Sequence, residues 1–316
     1  MDSTLLPCKK LDNLVLEFLK LNGCPIERFN EWGENKKSVL RKILSGDAVT
    51  RESVINMDQP RVIVQEISFD DEFKKFCEKC PKWNTKDAVL FWKNYTHLNT
   101  LKVLRRQLTG LCFMHAPVVL HHYMNTIQNG DNNYKMIDVA KYIHDNWPYQ
   151  RIIDYIENDR GGDSISFLES IIGNIEKVDF LIPKLDSDLF EKTCNKIRKL
   201  LKKQPALVSG FEVDMNFHQD GVSFSGKRQQ KYGNHAMLLI GIHRKKNLFK
   251  RNEYTFILQN WWKHRFFIEV SAEYFNSCNA KITFIFNKID TTEGIKYIYS
   301  PYAETIVDFS EKLHEI

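Results

Sequence analysis

Apolar residues in the first two thirds of the chain recur three and four positions apart, with polar residues between them. This spacing places the apolar side chains on one face of a helix. It predicts a helix over residues 11–21 that ends at Gly23, and another around residues 39–44 before Gly46. Residues 58–68 are typical of a strand or an extended linker. Further helices are predicted at residues 136–155, 165–175 and 189–203.

The last third of the chain has a different pattern. Its apolar segments are short, rich in β-branched and aromatic residues, and separated by polar loops, as in strands. The predicted strands cover residues 206–213, 235–242, 253–258, 266–270 and 282–286. A helical part followed by a strand-rich part predicts an α+β fold, with a cleft where the two parts meet.

Composition indicates a folded, soluble protein. Of the 316 residues, 43% are hydrophobic and 27% are charged, which is the balance of a globular chain and not of a disordered one. At roughly 150 residues per domain, this length predicts two domains, or one domain with a sizeable appendage. The longest apolar stretches, such as residues 236–242, fall far short of the roughly 20 residues that span a bilayer, so no membrane partner is expected.

The cysteines and the first residues indicate where in the cell the protein is expected. The first ten residues show no basic start followed by a long apolar core, so they indicate no secretory signal. Seven cysteines, an odd number scattered along the chain, indicate mostly reduced thiols and not a disulfide framework. We therefore expect a cytoplasmic protein.

The charge is mild, at a formal net +5, and does not by itself indicate a nucleic-acid partner. Two basic stretches, residues 196–203 and 243–251, are candidate contacts for an acidic protein or a nucleic acid. A solvated helix face and a hairpin loop are the simpler interpretations. No nucleic acid is expected.

Cys112 is a candidate nucleophile because of its position. It follows Gly110 closely and stands where an apolar helix is predicted to begin. Unpaired backbone N–H groups and the positive end of the helix dipole favour the thiolate, which is the reactive form of cysteine. Alone, a cysteine beside apolar residues is more often part of the core.

His235 and Asn260 could complete such a site. His235 stands at the head of a predicted strand, and Asn260 ends a later strand, 123 and 148 residues after Cys112. The imidazole would take the thiol proton and later protonate a leaving amine. The Asn260 amide oxygen would fix the tautomer of the ring, and Trp262 would shield that hydrogen bond from water.

Several blocks in this order resemble the papain-like cysteine peptidases. Gln107-Leu-Thr-Gly-Leu-Cys112-Phe is similar to the nucleophile block, residues 234–242 to the histidine block and Leu258-Gln-Asn260-Trp-Trp262 to the asparagine block. Lesser blocks agree, and they lie at residues 160–162, 204–213 and 218–224. Together the blocks span roughly residues 94–286 and identify the chain as a divergent intracellular member of this superfamily.

The resemblance implies a fold and a set of roles. It implies two lobes, one helical with a central helix that carries Cys112, the other an antiparallel β-barrel-like lobe. Cys112 would attack the scissile carbonyl, His235 would act as general acid and base, and Asn260 would orient it. Gln107 and the Cys112 backbone N–H would form the oxyanion hole. The substrate-binding residues would be Gly161, Gly162, Asn234 and Trp262. No cofactor and no metal are implied.

The chain also departs from the family. The family usually places six positions between the glutamine and the nucleophile, whereas Gln107 and Cys112 are five apart. Phe113 replaces a tryptophan, Lys263 replaces a glycine, and Arg160 stands where the family has a disulfide cysteine. Loss of the disulfide partners is compatible with a reducing cytosol.

The expected organisation has three parts. Residues 1–90 would form an N-terminal helical extension or cap, residues 91–290 the catalytic domain, and residues 291–316 a C-terminal tail packed on it. Cys77-Glu-Lys-Cys80 has the spacing of metal ligands, but a structural zinc site normally offers a second close pair, so a metal is not expected. His115, His121 and His122, on the helix of Cys112, are expected to be partly buried helix residues and not metal ligands.

Three functions remain open from the sequence. The first is a peptidase that cleaves peptide bonds through an acyl-enzyme. The second is an isopeptidase that acts on ubiquitin-like modifiers, if the cap recognises a folded modifier and the Gly161-Gly162 segment admits only its thin tail. The third is a catalytically silent binding module that retains the fold. The expected partner is a polypeptide substrate, or such a modifier.

Overall fold

The structure is a computed structural model. It describes residues 15–23, 25–34, 36–44, 68–104, 110–131, 136–158, 161–173, 175–218, 221–247, 251–262, 265–291 and 294–298. Residues 15–21 and 36–44 are helical. The labelled helices are α1 (Ile26–Glu31), α2 (Phe69–Lys79), α3 (Cys112–Asn129), α4 (Val139–Asn146), α5 (Tyr149–Asn158), α6 (Ser164–Ile172), α7 (Asp188–Leu201), α8 (Met215–His218) and α9 (Ala272–Ser277). Short 3-10 helices cover Pro81–Asn84, Phe91–Asn94 and Asn99–Leu101. No helix within these ranges is long and apolar enough to cross a membrane.

All the described strands belong to a single sheet. The strands are β1 (Ala88–Leu90), β2 (Ile175–Leu181), β3 (Ala206–Val213), β4 (Ser223–Phe224), β5 (Gly233–Lys245), β6 (Glu253–Trp262), β7 (Arg265–Ser271), β8 (Lys281–Thr291) and β9 (Gly294–Ile298). Their order is β2-β8-β3-β5-β6-β7-β4, with β1 paired to β5 and β9 paired to β8. The pairs are antiparallel except β4 with β7.

The prediction of an α+β fold is confirmed, but the sheet is open and not barrel-like. Closure would require the two edge strands to pair with each other. Among the described residues β2 pairs with β8, and the two-residue strand β4 pairs with β7, so no ladder joins the two edges. The five predicted strands correspond to β3, β5, β6, β7 and β8.

Two helix predictions need correction. The helix predicted over residues 136–155 is divided into α4 and α5, because Pro148 disfavours helical backbone at Trp147, which is extended with ψ 132°. The helix predicted over residues 165–175 ends at Ile172. Gly173 follows with φ +87°, which favours glycine, and strand β2 then begins. The extended segment predicted at residues 58–68 lies outside the described residues except for Ser68.

The chain forms two compact units. The first comprises the described parts of residues 1–66, 108–111 and 136–161, and the second comprises those of 67–107, 112–135 and 162–316. The first unit is helical. The second contains all the labelled strands together with Cys112, His235 and Asn260, so these three residues belong to one unit.

The core of the second unit is a buried apolar cluster between helices and the sheet. Helix α7 buries Phe190, Cys194, Ile197 and Leu201 in one cluster with apolar side chains from β3, β5 and β6. Helix α3 packs against β3 and β5. The strand that carries His235 is therefore held both by its neighbours in the sheet and by the helix that begins at Cys112.

The three predicted parts of the chain remain predictions. Residues 68–90 of the predicted extension contain α2 and β1, and β1 pairs with β5 of the sheet. Residues 294–298 of the predicted tail form β9, which pairs with β8. The rest of that tail, from residue 299 onward, lies outside the described residues.

Candidate active site

Cys112 is the first residue of α3, where the sequence predicts it. Gly110 precedes the helix with φ +67°, a left-handed conformation that glycine adopts without strain and that turns the chain into the helix. The thiol is half-buried. The unpaired N–H groups of a first helical turn favour a negatively charged group there, so this position suits a thiolate.

The other described cysteines are poor nucleophiles. Cys77, Cys80, Cys194 and Cys278 are all buried and free. Burial raises the pKa of each thiol, to about 12 for Cys80 and Cys278. Buried thiols that stay protonated react slowly, so Cys112 is the described cysteine best placed to react.

His235 and Asn260 are brought together by adjacent strands of the sheet. His235 lies near the start of β5 and Asn260 near the end of β6. The distance between His235 Nε2 and Asn260 Oδ1 is 2.7 Å, and both side chains are buried. The predicted hydrogen bond between imidazole and amide is therefore present.

A second contact fixes the direction of that hydrogen bond. Asn260 Nδ2 donates to the backbone oxygen of Arg265 at 2.8 Å. The amide nitrogen is thereby assigned, so Oδ1 faces the ring and accepts. His235 Nε2 must then carry hydrogen, and in the neutral ring the lone pair lies on Nδ1. A nitrogen in that state can take a proton from a thiol.

Trp262 covers the pair. Its ring lies 4.5 Å from that of His235 between centroids, with an interplanar angle of 29°. The neighbouring Trp261 donates from Nε1 to the backbone oxygen of Ala236 at 3.0 Å, which ties β6 to β5 beside His235. The Trp262 ring thus covers one face of the imidazole.

Helix α3 is tied to the strand that carries Asn260 by a contact that the sequence reasoning missed. Tyr123, which is fully buried, donates its hydroxyl to Gln259 Oε1 at 3.0 Å. Gln259 Nε2 in turn donates to the backbone oxygen of Val103 at 2.6 Å. Tyr123 stands eleven positions after Cys112, so this contact lies about 16 Å along α3 from its first residue.

The remaining predicted site residues are placed as follows. Gly161 and Gly162 are exposed and stand just before Asp163, the N-cap residue of α6, and Asn234 is exposed in β5. A Cβ on Gly162 would lie 2.8 Å from Phe113 Cζ and closer still to other ring atoms, so Phe113 packs on this glycine. Gln107 lies outside the described residues, and its role stays a prediction.

The metal hypothesis finds no ligand set in the described part of the chain. No group of three or more histidine, cysteine, aspartate or glutamate side chains there could hold a metal ion. Cys8 and Cys24 lie outside it. His115 and His122 are buried, and His122 Nε2 lies 2.8 Å from the backbone oxygen of Thr100. Burial lowers the pKa of His121 to about 4.

Comparison with solved structures finds cysteine proteases similar to this chain. No protein-family model and no curated protein matches the sequence. A cysteine protease of Carica candamarcensis is 12% identical over 64% of this chain and 98% of its own, with a TM-score of 0.38. Bromelain of Ananas comosus is 15% identical over 64% and 99%, with a TM-score of 0.34. The SERA5 proenzyme of Plasmodium falciparum is 12% identical over 88% and 94%, with a TM-score of 0.40. At TM-scores below 0.5, these likenesses by themselves establish neither an activity nor a substrate for this chain.

Proposed function

We propose that this protein is a thiol-dependent hydrolase that cleaves peptide bonds. The observation that supports this most is the buried His235–Asn260 hydrogen bond under Trp262. It lies on strands of the unit whose helix α3 begins at Cys112 and packs against β5. A buried imidazole with an assigned tautomer has the chemistry of a general base, and a half-buried thiol at a helix start has that of a nucleophile.

The proposed reaction has two stages. His235 takes the Cys112 thiol proton, and the sulfur attacks the scissile carbonyl to form a tetrahedral oxyanion. When the C–N bond breaks, the imidazolium gives its proton to the leaving amine, and an acyl-enzyme remains. Water, deprotonated by His235, then attacks the thioester, and the carboxylic acid product leaves as the thiol is restored. Asn260 keeps the imidazole oriented in both stages.

The remaining roles are part of the same proposal. The Cys112 backbone N–H, at the start of α3, would stabilise the oxyanion, with Gln107 as a second donor. Asn234 directly precedes His235, and Gly162 packs against Phe113, the residue after Cys112. Together with Gly161 they would contact an extended polypeptide substrate. We propose a cytoplasmic location, in keeping with the reduced thiols.

Alkylation of Cys112 tests the proposal directly. At pH 7 an ordinary thiol is only about 3% ionised, so pairing with an imidazole can raise the alkylation rate by up to about thirtyfold. We expect iodoacetamide to modify Cys112 first and His235→Ala to slow this by about tenfold or more. Mass spectrometry of the Cys112 peptide separates it from Cys8 and Cys24.

His243→Ala is the matched control. His243 is also buried and lies on the same strand, and burial lowers its pKa. Its removal should leave the Cys112 rate unchanged. Equal rates in wild type and His235→Ala would refute the thiolate–imidazole pair.

Reporter substrates then distinguish the functions. Cleavage of short peptide reporters that is lost in Cys112→Ala supports the peptidase. Cleavage of a ubiquitin C-terminal reporter but not of peptides would assign an isopeptidase instead. A folded protein that shows neither turnover nor His235-dependent labelling would be a silent binding module.

A further inference from the structure

Arg265 is a buried cation beside the candidate site. Only 6% of the residue is exposed. Its Nη1 donates to the backbone oxygens of Phe217, at 2.6 Å, and Gly221, at 3.3 Å. Burial of a guanidinium is costly unless its N–H groups are bonded. These carbonyl bonds therefore fix where the charge lies.

The guanidinium also contacts the ring that covers His235. Its central carbon lies 5.0 Å from the centroid of the Trp262 ring and 5.9 Å from that of Phe217. A cation over an indole face is attracted by the ring quadrupole, more strongly when both are desolvated. Trp262 is thus held by Arg265 while it stacks on His235.

The backbone of Arg265 contacts the other partner of the imidazole. The pairing of β6 with β7 shifts register between Gln259 and Trp262, after which Trp262 pairs with Arg265. This irregularity lies at Asn260, and such irregularities redirect side chains. The Asn260 amide donates to the Arg265 carbonyl there. One residue therefore contacts both groups that constrain His235, the amide and the indole.

The Phe217 carbonyl that accepts from Arg265 is itself held in place by hydrogen bonds. Phe217 lies in α8, and its backbone N–H donates to Asp214 Oδ1 at 2.8 Å. The same carboxylate oxygen accepts from the Tyr274 hydroxyl at 3.2 Å, and Asp214 is 1% exposed. The carbonyl that holds the guanidinium thus belongs to a buried, hydrogen-bonded turn.

We propose that Arg265 is a positioning residue for His235, which acts through the Trp262 indole and the Asn260 amide. Its effect on Cys112 reactivity rests on the proposed function, whereas its effect on the His235 ring does not. Arg265 is not expected to touch the substrate.

The first readout follows the His235 ring. The Nε2 proton, buried behind Trp262 and bonded to Asn260, should exchange slowly and give a downfield imidazole resonance, assigned by its loss in His235→Ala. Arg265→Met should broaden or remove this resonance, because the guanidinium no longer holds the Trp262 indole and the backbone that binds the Asn260 amide. Arg265→Lys keeps a charge but not the planar fork, so it should restore the resonance only in part.

The second readout is the alkylation rate of Cys112, measured on the same variants with their melting temperatures. We expect Arg265→Met to slow it about tenfold, as a misplaced catalytic group does, and Arg265→Lys to give an intermediate rate. Arg251→Met is the control. Arg251 Nη1 also donates to two backbone oxygens, those of Leu185 and Ser187, but its side chain is 48% exposed.

The outcomes separate the two proposals. A resonance that persists unchanged in Arg265→Met, or in Arg265→Lys if the methionine variant does not fold, overturns the positioning role even if stability falls. So does a wild type without the resonance. Alkylation that is independent of His235 refutes the proposed function, while the resonance still decides the role of Arg265.

Discussion

Asn260 holds the candidate site in one orientation through a single amide group. Its oxygen accepts from His235 and its nitrogen donates to Arg265, both at hydrogen-bond distance and both buried. A side chain that satisfies one partner on each side cannot rotate without the loss of both bonds. The tautomer of His235 is thereby decided by the backbone oxygen of Arg265, the residue that pairs with Trp262 across β6 and β7.

Removal of this amide should cost both stability and reactivity. Asn260→Ala leaves the buried His235 Nε2–H and the Arg265 carbonyl without their partner, which costs about 1–3 kcal/mol of unfolding free energy. We also expect Cys112 alkylation to slow severalfold, measured at pH 7. The exposed amide of Asn146 donates to the Tyr142 backbone oxygen one turn earlier, so Asn146→Ala should lower neither the stability nor the alkylation rate by a comparable amount. Equal effects of the two substitutions would contradict the orienting role.

The sequence predicted part of this site and missed the rest for a physical reason. His235, Asn260 and Trp262 stand in blocks whose order and local spacing can be read along the chain. Tyr123, Gln259 and Arg265 are visible only in three dimensions, since their partners lie 136, 156 and 48 residues away. Nothing in the sequence around Arg265 distinguishes a buried cation from a surface one.

The contact between α3 and the segment before α6 depends on the absence of one side chain. Phe113, in the first turn of α3, packs against Gly162 so closely that a Cβ there would overlap its ring. At the adjacent Gly161, a Cβ would meet no atom of the described residues within 4 Å. Two neighbouring glycines that look alike in the sequence therefore have different structural requirements.

Alanine substitutions should separate them. Gly162→Ala forces the Phe113 ring to move and should lower the free energy of unfolding by about 1–3 kcal/mol, as overpacking does. Gly161→Ala should change it by no more than about 0.5 kcal/mol. In a Phe113→Ala background the cost of Gly162→Ala should largely disappear. Denaturant unfolding measures all four variants, and an unchanged cost in that background would refute the contact.

Helix α6 begins with a titratable cap. Asp163 accepts from the Ser166 backbone N–H at 2.6 Å. Burial would raise the pKa of this carboxyl, but the hydrogen bonds from Ser166 and Ile165 outweigh it and hold the pKa below its ordinary value of 3.8. Asp163 therefore stabilises the folded chain as a carboxylate, and protonation removes that stabilisation.

The sign of the pH dependence follows. The stabilisation by the Asp163 carboxylate is complete above the pKa of the unfolded state. It is lost as the pH falls through the lower pKa of the folded state, that is, below about pH 4. We expect Asp163→Ala to cost about 1 kcal/mol at pH 7. Asp163→Asn keeps a cap without the charge, so any advantage of wild type over it should shrink between pH 5 and pH 3. Thermal unfolding across this range tests the claim, and a pH-independent difference would contradict it.

Elements were easier to predict than their boundaries. Long helical periods and alternating strands are local signals, so α7 and the strands β3, β5, β6, β7 and β8 were found from the sequence. Strand β1, with three residues, is too short to show a period, and it depends on β5 for its pairing. The open form of the sheet could not be predicted, because it is decided by which edges pair and not by any strand's own pattern.

The whole molecule consists of two compact units. In the helical one, polar contacts converge on Glu157. Glu157 on α5 accepts from the Arg28 guanidinium through both carboxylate oxygens and from Trp32 Nε1 at 3.3 Å. Lys36 Nζ donates to its backbone oxygen at 2.9 Å. Three segments of the first unit therefore meet at one residue.

Loss of the Glu157 contacts should destabilise the first unit and leave the second unchanged. Glu157→Ala should accelerate hydrogen exchange in residues 26–44 and 149–158, by an amount equivalent to about 1 kcal/mol because Arg28 is half-exposed. Exchange in β5 and β6 should not change. Glu169→Ala, which removes a surface ion pair with Lys177 in the second unit, is the control. Equal acceleration in both units would show that they unfold as one.

The two strands that carry His235 and Asn260 follow one another along the chain, whereas Cys112 comes from more than a hundred residues earlier. The His235–Asn260 pair therefore depends on short-range folding, whereas a thiol at its proposed place beside the imidazole requires the closure of a much longer stretch of chain. Mild denaturant should for that reason abolish the proposed His235-dependent alkylation of Cys112 before it unfolds β5 and β6. A newly made chain should likewise form the His235–Asn260 hydrogen bond before Cys112 reaches its proposed position.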